Sequence, residues 1–337
     1  MAAAVTDPAA GVAASGCREV DLDRIAARCR WPAGAGPGVG GERSGSGGCG
    51  APVVAGVSGG PDSLALLVLA CRAGLDVLAV HVDHALRPGS AAEADRVAEA
   101  ARALGARFEA RRAPVTPGPD LEARARAARY SVLPGGVMVG HTADDRAETV
   151  MLNLLRGSGI DGLAPMRPSA RVSRPLLGLR RSETEAVCAA AGLEAVRDPT
   201  NDDLAQRRNS VRHLLLPLLA EVAGRDPVPL LCRQAELAGD DADLLDRLAA
   251  AIDARDARAL SAAPVPLARR AVRNWLRTAP GSDPELHPPS AAEVARVLAV
   301  ARCEAVACEL AGGRRVARRD GRLRVEPPGE AASRSAR

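Results

Sequence analysis

One stretch near the start of the chain restricts the fold more than any other. Val53-Val54-Ala55-Gly56-Val57 is a short, nearly unbroken apolar run, of the kind that suits a strand buried on both faces. Leu64 to Ala73 is apolar and mostly unbranched at Cβ, so it reads as a helix packed on that strand. Between them stand Ser58-Gly59-Gly60-Pro61-Asp62-Ser63. A glycine turn lets backbone approach a ligand closely, and the N–H groups of a new helix point at whatever sits there. Ser58 and Ser63 add hydroxyl donors, and the simplest ligand for such a nest is a phosphate group. A lysine-bearing phosphate loop is excluded, because the 337 residues contain no lysine and every basic side chain is arginine. The one G-x-G-x-x-G match, at Gly36, Gly38 and Gly41, lies in a Gly/Ser-rich stretch with no strand before it, so it reads as chance.

A chain of 337 residues has room for about two domains. Its aromatics are only Trp31, Trp275, Tyr130 and Phe108, so the core must be built from Leu, Val and Ala. The formal net charge of +4 is compatible with a polyanionic partner without pointing to one. The eight cysteines are scattered and form no C-x-x-C pair, which fits free thiols in a reducing cytosol and gives no zinc-ribbon or iron–sulfur pattern. There is no signal-peptide pattern and no apolar run near the roughly 20 residues of a membrane helix, so a cytoplasmic protein without a membrane partner is expected.

Residues 1–50 read as a disordered extension without chemistry of its own, in which Val20 to Trp31 can form one amphipathic helix before a Gly/Ser-rich segment. From Val53 strand and helix alternate: strands at 53–57, 77–83, 106–110 and 137–141, helices at 64–73, 91–104, 121–133 and 143–155. Repeated β-α units of this length imply an α/β, doubly wound parallel sheet. In such sheets ligands sit beyond the carboxyl ends of the strands, where the polar clusters Ser58–Ser63, His81–Arg87 and His141–Glu148 all fall. Further on, a helix is expected at 181–191 and a helical run up to Leu219. Pro227 and Pro229 mark a boundary, and a smaller, mostly helical C-terminal domain spans 230–326. That domain ends in a hairpin around Asp320-Gly321, before a disordered tail at 327–337.

Each cluster has a chemical reading and a plainer one. His81, Asp83 and His84 have the look of metal ligands, but no third soft ligand lies nearby in sequence. Asp83 and His84 therefore read as polar groups lining a nucleotide pocket. Thr142 and Asp145 fit a capping box, which explains Asp145 structurally but leaves Glu148, on the same helical face, unexplained. Two carboxylates at a helix start beside a phosphate loop are suited to holding Mg²⁺ against phosphates or to binding an amine; the residues alone leave both open. Arg126, Arg129 and Tyr130 share one helix, where a solvated arginine face is the plainer reading. The arginines at 174, 180, 181, 197, 207, 208 and 212 are suited to phosphate forks.

Taken together, these motifs resemble the tRNA(Ile)-lysidine synthase family of PP-loop ATP pyrophosphatases. The resemblance rests on SGGPDS (58–63), HVDHALR (81–87), ARAARY (125–130), GHTADDRAET (140–149), LLRGSGIDGLAPM (154–166), RPLL (174–177), DPTND (198–202) and RRNSVR (207–212). It covers 51–225 densely and the C-terminal domain loosely. It implies a catalytic domain over 51–225 and a tRNA-binding domain over 230–326. The implied reaction uses ATP to adenylate C2–O of the wobble cytidine in a tRNA(Ile) with a CAU anticodon, releasing pyrophosphate. The amine of free L-lysine then displaces AMP. Ser58, Gly59, Gly60, Pro61, Asp62 and Ser63 would hold the nucleotide with Asp83 and His84, and Asp62 would stand near Mg²⁺. Asp62, Arg126, His141, Asp145 and Glu148 would form the reacting centre, while Arg129, Arg174, Arg208 and Arg212 would meet phosphate or tRNA. The resemblance allows a homodimer. Two departures stand out: Arg146 replaces the family's usual Gln, and Ser210 replaces an arginine. A sulfur-inserting tRNA enzyme on the same fold would need paired cysteines, which this chain lacks. A non-catalytic nucleotide- or tRNA-binding relative is opposed by the intact Asp62, Asp145 and Glu148.

Overall fold

The computed structural model describes residues 20–33, 51–85, 90–116, 118, 121–196, 202–279 and 289–326. The chain divides into two compact units, Met1–Arg156 with Pro165–Cys232 and Gly157–Ala164 with Arg233–Arg337.

In chain order the first unit opens with helix α1 (Leu22–Ala27), then β1 (Val53–Gly56), α2 (Pro61–Arg72), β2 (Val77–Asp83), α3 (Ser90–Ala103), β3 (Arg107–Arg112), α4 (Leu121–Val132), β4 (Val137–Met138) and α5 (Ala143–Leu155). Helix α6 (Ile160–Leu163) belongs to the second unit. Strand β5 (Val172–Ser173) and helices α7 (Arg181–Ala190), α8 (Arg207–Ser210) and α9 (Leu216–Ala223) return to the first, and α10 (Pro227–Ala250) begins in it. The five strands are all parallel in the order β3-β2-β1-β4-β5, the expected doubly wound sheet. The strand order reverses at β1, so a crevice opens between the carboxyl ends of β1 and β4.

Both faces of this sheet are covered, which is why its strands read as apolar runs rather than alternations. One face carries Ala55, Val57, Val77, Ala79 and Met138 against α2 and α7. The other carries Val80, Val137, Val139 and Val172 with Leu133 and Tyr130 of α4 and its end. Helix α2 is apolar all round because it is enclosed on all sides: Leu66, Leu67 and Leu69 are fully buried. Each contributes about 2 kcal/mol by burial.

The stretch read as an extension contributes more than expected. Leu22, Ile25, Cys29 and Trp31 pack against the main core, and Arg72 pairs with Asp23 at 2.6 Å. The fourth strand is shorter than the five residues expected, because Gly140 leaves the sheet to press on α2. Pro227 and Pro229 open the long helix α10, within which the division between the units falls, at Cys232 and Arg233. Proline at a first helical position has no N–H to lose, and Asp226 caps the turn through Val228 N at 3.0 Å. Between α8 and α9, Val211–Leu215 winds as a π-helix, a form concentrated at functional sites. No described helix is long and apolar enough to cross a membrane.

The second unit also contains α11 (Ala257–Ala262), α12 (Val265–Thr278) and α13 (Ala291–Ala301). These pack with an antiparallel sheet of β6 (Ala307–Glu309), β7 (Arg315–Arg319) and β8 (Arg322–Glu326). Leu260, Val272, Leu276, Val297, Val316 and Leu323 form its core. The expected hairpin is present: Asp320 (φ 49°) and Gly321 (φ 74°) make the two-residue turn between β7 and β8. Strand β6 was not legible in the sequence. Inside the unit, Arg270 bonds Asp161 at 2.6 Å and Asp246 at 2.8 Å.

Candidate active site

The glycine corner closes on itself through its two serines. Ser58 N donates to Ser63 Oγ (3.1 Å), and Ser63 Oγ donates to the Gly60 carbonyl (2.9 Å). Gly59 sits at φ 86°, where a side chain would be strained. Pro61 occupies the first turn of α2 and leaves the following N–H groups directed at the loop.

The end of β4 is docked onto this corner at one point. A Cβ on Gly140 would lie 2.4 Å from the Asp62 carbonyl oxygen and 2.9 Å from Ser63 N. No side chain fits there, so glycine is required for the two strand ends to meet. Immediately after it, Thr142 caps α5 and the expected capping box forms: Thr142 N donates to Asp145 Oδ2 at 2.8 Å.

The result is one cavity of about 200 Å³. Ser58, Asp62 and Ser63 form one wall, His141 and Asp145 another, and Arg129, Tyr130 and Val82 lie around them. The strand ends that the sequence placed on one edge therefore do share a cavity. Arg126 lies over the Tyr130 ring at 5.1 Å and Arg171 at 5.8 Å, both within cation–π range. Arg174, at the end of β5, donates through Nε to His141 Nδ1 at 3.2 Å. Arginine can only donate, so that ring nitrogen is an acceptor and the neutral ring carries its proton on Nε2. Burial pushes the His141 imidazole down to about 4, against the opposing pull of Asp145, and Arg126, Arg174 and Arg208 reinforce the downward shift.

Behind the cavity runs a chain of alternating charges. Asp62 pairs with Arg181 (3.3 Å), Arg181 with Asp145 (3.1 Å), and Asp145 with Arg208 (2.8 Å). Arg208 then pairs with Glu148 (2.7 Å), and Glu148 with Arg212 (2.6 Å). Arg208, in α8, and Arg212, four residues on in the π-helical turn, reach the same carboxylate. Burial pushes the Asp62 carboxyl up to about 6, although Arg181 and the Thr184 hydroxyl pull it down. Burial would also raise Asp145, but Arg208 and Arg181 outweigh it and leave Asp145 below the ordinary carboxylate value.

The placement of the expected residues is thus uneven. Ser58, Asp62, Ser63, Arg129, His141 and Asp145 line the cavity, while Gly59, Gly60 and Pro61 shape its loop. Arg126 and Arg174 act on residues of its wall. Glu148 is fully buried with both oxygens held by arginine, so Arg208 and Arg212 meet carboxylates within the protein. Asp83 and His84 are not among the residues lining the cavity: Asp83 accepts from Ala85 N (2.7 Å) and His84 bonds the Ala113 carbonyl (3.0 Å). Neighbouring Arg87 and most of the 198–202 motif lie outside the described residues. His81, weighed as a metal ligand, is buried and bonds the Val57 carbonyl at 3.0 Å. Thr184 was missed as a site residue, and Arg181 was read only as one of the arginines suited to phosphate, not as a partner of Asp62. Their signal was a polar pair three apart on the face of α7 that continues into Val187 and Cys188.

Mg²⁺ is a hard cation that takes a few carboxylate oxygens and completes its shell with phosphate and water. Among the described residues no three His, Cys, Asp or Glu side chains form a metal site by themselves. Asp62 and Asp145 both lie on the cavity wall, and so small a carboxylate set fits the shared, phosphate-assisted binding that Mg²⁺ prefers.

A doubly wound sheet with this corner at its switch point defines the PP-loop class, and the PP-loop domain model matches residues 50–219. The tRNA(Ile)-lysidine synthase of Mycolicibacterium paratuberculosis is 45% identical over 233 residues, 65% of this chain and 72% of that one. The one from Nocardia farcinica is 46% identical over 244 residues, 67% of this chain and 76% of that one. The chain belongs to the tRNA(Ile)-lysidine synthase family. Among solved structures, a U34-tRNA thiolase from Methanococcus maripaludis aligns with a TM-score of 0.47 at 18% identity, over 56% of this chain and 72% of that one. That likeness is too low to argue from.

Proposed function

We propose that this protein ligates lysine onto C2 of the wobble cytidine of a tRNA(Ile) with a CAU anticodon, at the expense of ATP. The cytidine C2 oxygen attacks the α-phosphate of ATP and pyrophosphate leaves. The amine of free lysine then bonds to C2 and AMP leaves with the oxygen, giving lysidine. The observation that carries this reading is the single cavity with the glycine corner on one wall and His141 and Asp145 on another.

The N–H groups of Ser58–Ser63 and the start of α2 hold the departing pyrophosphate, where negative charge develops. Asp62, together with the phosphates, would hold Mg²⁺, which would supply charge neutralisation at the polyphosphate. His141 is neutral at working pH and offers Nε2–H as a hydrogen-bond donor. Asp145 is ionised and lines the cavity, so it is the carboxylate that faces the cationic lysine. Glu148 stands behind it and fixes Arg208 and Arg212. Arg126 and Arg129, on the Tyr130 side, face the RNA phosphates. Such chemistry belongs in the cytoplasm, where ATP, lysine and tRNA are together.

Purified protein is incubated with ATP, Mg²⁺, lysine and the CAU-bearing tRNA, and the tRNA is digested for nucleoside mass spectrometry. Lysidine is expected, with sustained release of AMP and pyrophosphate that needs both lysine and tRNA. Equal pyrophosphate release without either would rule the ligase reading out.

A further inference from the structure

Asp62 is gripped from two directions. Its main chain is pinned by Gly140, as described above. Its side chain is met by one face of α7, on which Arg181, Thr184 and Cys188 lie at i, i+3 and i+7. Cys188 Sγ reaches the Pro61 carbonyl at 3.2 Å, so this face tracks the first turn of α2. Thr184 Oγ1 lies 2.5 Å from Asp62 Oδ1, and Arg181 lies 3.3 Å from Oδ2.

We propose that Thr184, with Arg181, is a positioning residue that orients the Asp62 carboxylate toward the nucleotide cavity. Thr184 is fully buried, and its hydroxyl is also 2.7 Å from the Arg181 carbonyl. One hydroxyl has one proton. The carboxylate is the closer acceptor and carries charge, so it takes that proton. Arg181 alone could not hold the carboxylate in place, because the same nitrogen also pairs with Asp145 at 3.1 Å and draws Asp62 toward it. Thr184 supplies the opposing bond on the other oxygen. The carboxylate is thereby fixed in one rotation before any substrate arrives, which is what a precisely placed group requires.

This inference rests on the ligase reading for its assay and on geometry for its claim. Thr184→Val keeps the shape and removes the hydroxyl, whereas Thr184→Ser keeps the hydroxyl. The variants are compared by kcat and KM for ATP and for lysine, by calorimetric binding of ATP with Mg²⁺ in the absence of tRNA, and by thermal unfolding. Thr184→Val is expected to lower kcat about 30-fold with the KM for lysine unchanged, and Thr184→Ser to stay within about 3-fold of the parent. Parental kcat in Thr184→Val overturns the proposal. So does an equal loss in Thr184→Ser, which would mark a packing role. If Thr184→Val fails to fold, Arg181→Gln carries the test: it should lower kcat by about 100-fold, and a parental rate overturns the proposal. A parent protein without lysine-dependent turnover sinks the ligase reading instead. In that case weaker binding of ATP with Mg²⁺ by Thr184→Val still supports the positioning role, and unchanged binding contradicts it.

Discussion

Both units contain a network of arginines and carboxylates, and the two networks differ in what they border. In the second unit Arg270 is almost fully buried and bonds Asp161, Asp246 and the Ala242 carbonyl, while Arg273 adds a second contact to Asp161 at 3.0 Å. Burial would lower Arg270, but Asp246 and Asp161 outweigh it and hold the guanidinium above its ordinary value. In the first unit the chain from Asp62 to Arg212 runs along a cavity, where burial works against charge: Asp62 is pushed up to about 6 and the neighbouring His141 down to about 4. The same residue types thus make a brace in one place and a poised site in the other. What separates them is that Asp62 and Asp145, though paired, also line a cavity, whereas Arg270 is enclosed among its partners.

That contrast can be broken experimentally, most severely at Asp62. Asp62→Ala should lower turnover by about 10³-fold or more while near-ultraviolet circular dichroism stays native. Turnover within tenfold of the parent would put Asp62 on the structural side. Gly140→Ala is expected next in size. A methyl 2.4 Å from the Asp62 carbonyl must displace the loop, costing about 2–3 kcal/mol of stability and about 100-fold in ATP affinity, read by denaturation and calorimetry.

The His141 shift gives a pH test of similar scale. Its folded value, about 4, lies below the ordinary 6.5, so the unfolded chain takes up the proton first. The stability it contributes is present above pH 6.5 and is lost as pH falls toward 4. Asp62, raised to about 6, works in the opposite direction across the same window, so the His141 part is read as a difference: the pH dependence of stability in urea melts of the parent minus that of His141→Gln should amount to roughly 3 kcal/mol. An unchanged slope in the variant would contradict a buried neutral ring. The smallest effect is expected at the brace: Asp161→Ala should cost about 2 kcal/mol of stability yet leave ATP binding at the parental level. Lost ATP binding without lost stability would erase the distinction between the two networks.

The doubly wound sheet was legible because a strand buried on both faces, a glycine corner and a recurring β-α alternation leave few other folds. The shared cavity was legible for the same reason, since strand ends of a parallel sheet lie on one edge. Helix α5 was read correctly at both ends from its capping box and apolar face. Other features depend on contacts that no local pattern encodes. Glu148 was expected beside Asp145 on one helical face, but Arg208 from α8 and Arg212 from the π-helical turn after it hold both its oxygens in a buried position. That Pro227 opens a helix was not legible, because proline both ends and begins helices, and only the tertiary setting distinguishes the two. Thr184 was passed over and Arg181 was read for phosphate; that both meet Asp62 shows only where α7 lies against the first turn of α2. Gly140 stood in a recognised motif, yet its necessity comes from the Asp62 carbonyl, far away in sequence.

The most direct test is a crystal structure of the protein with a non-hydrolysable ATP analogue and Mg²⁺. The β- and γ-phosphates should rest against the N–H groups of Ser58–Ser63, with the α-phosphate facing His141 and Asp145. An analogue bound elsewhere, with the glycine corner empty, would contradict the account.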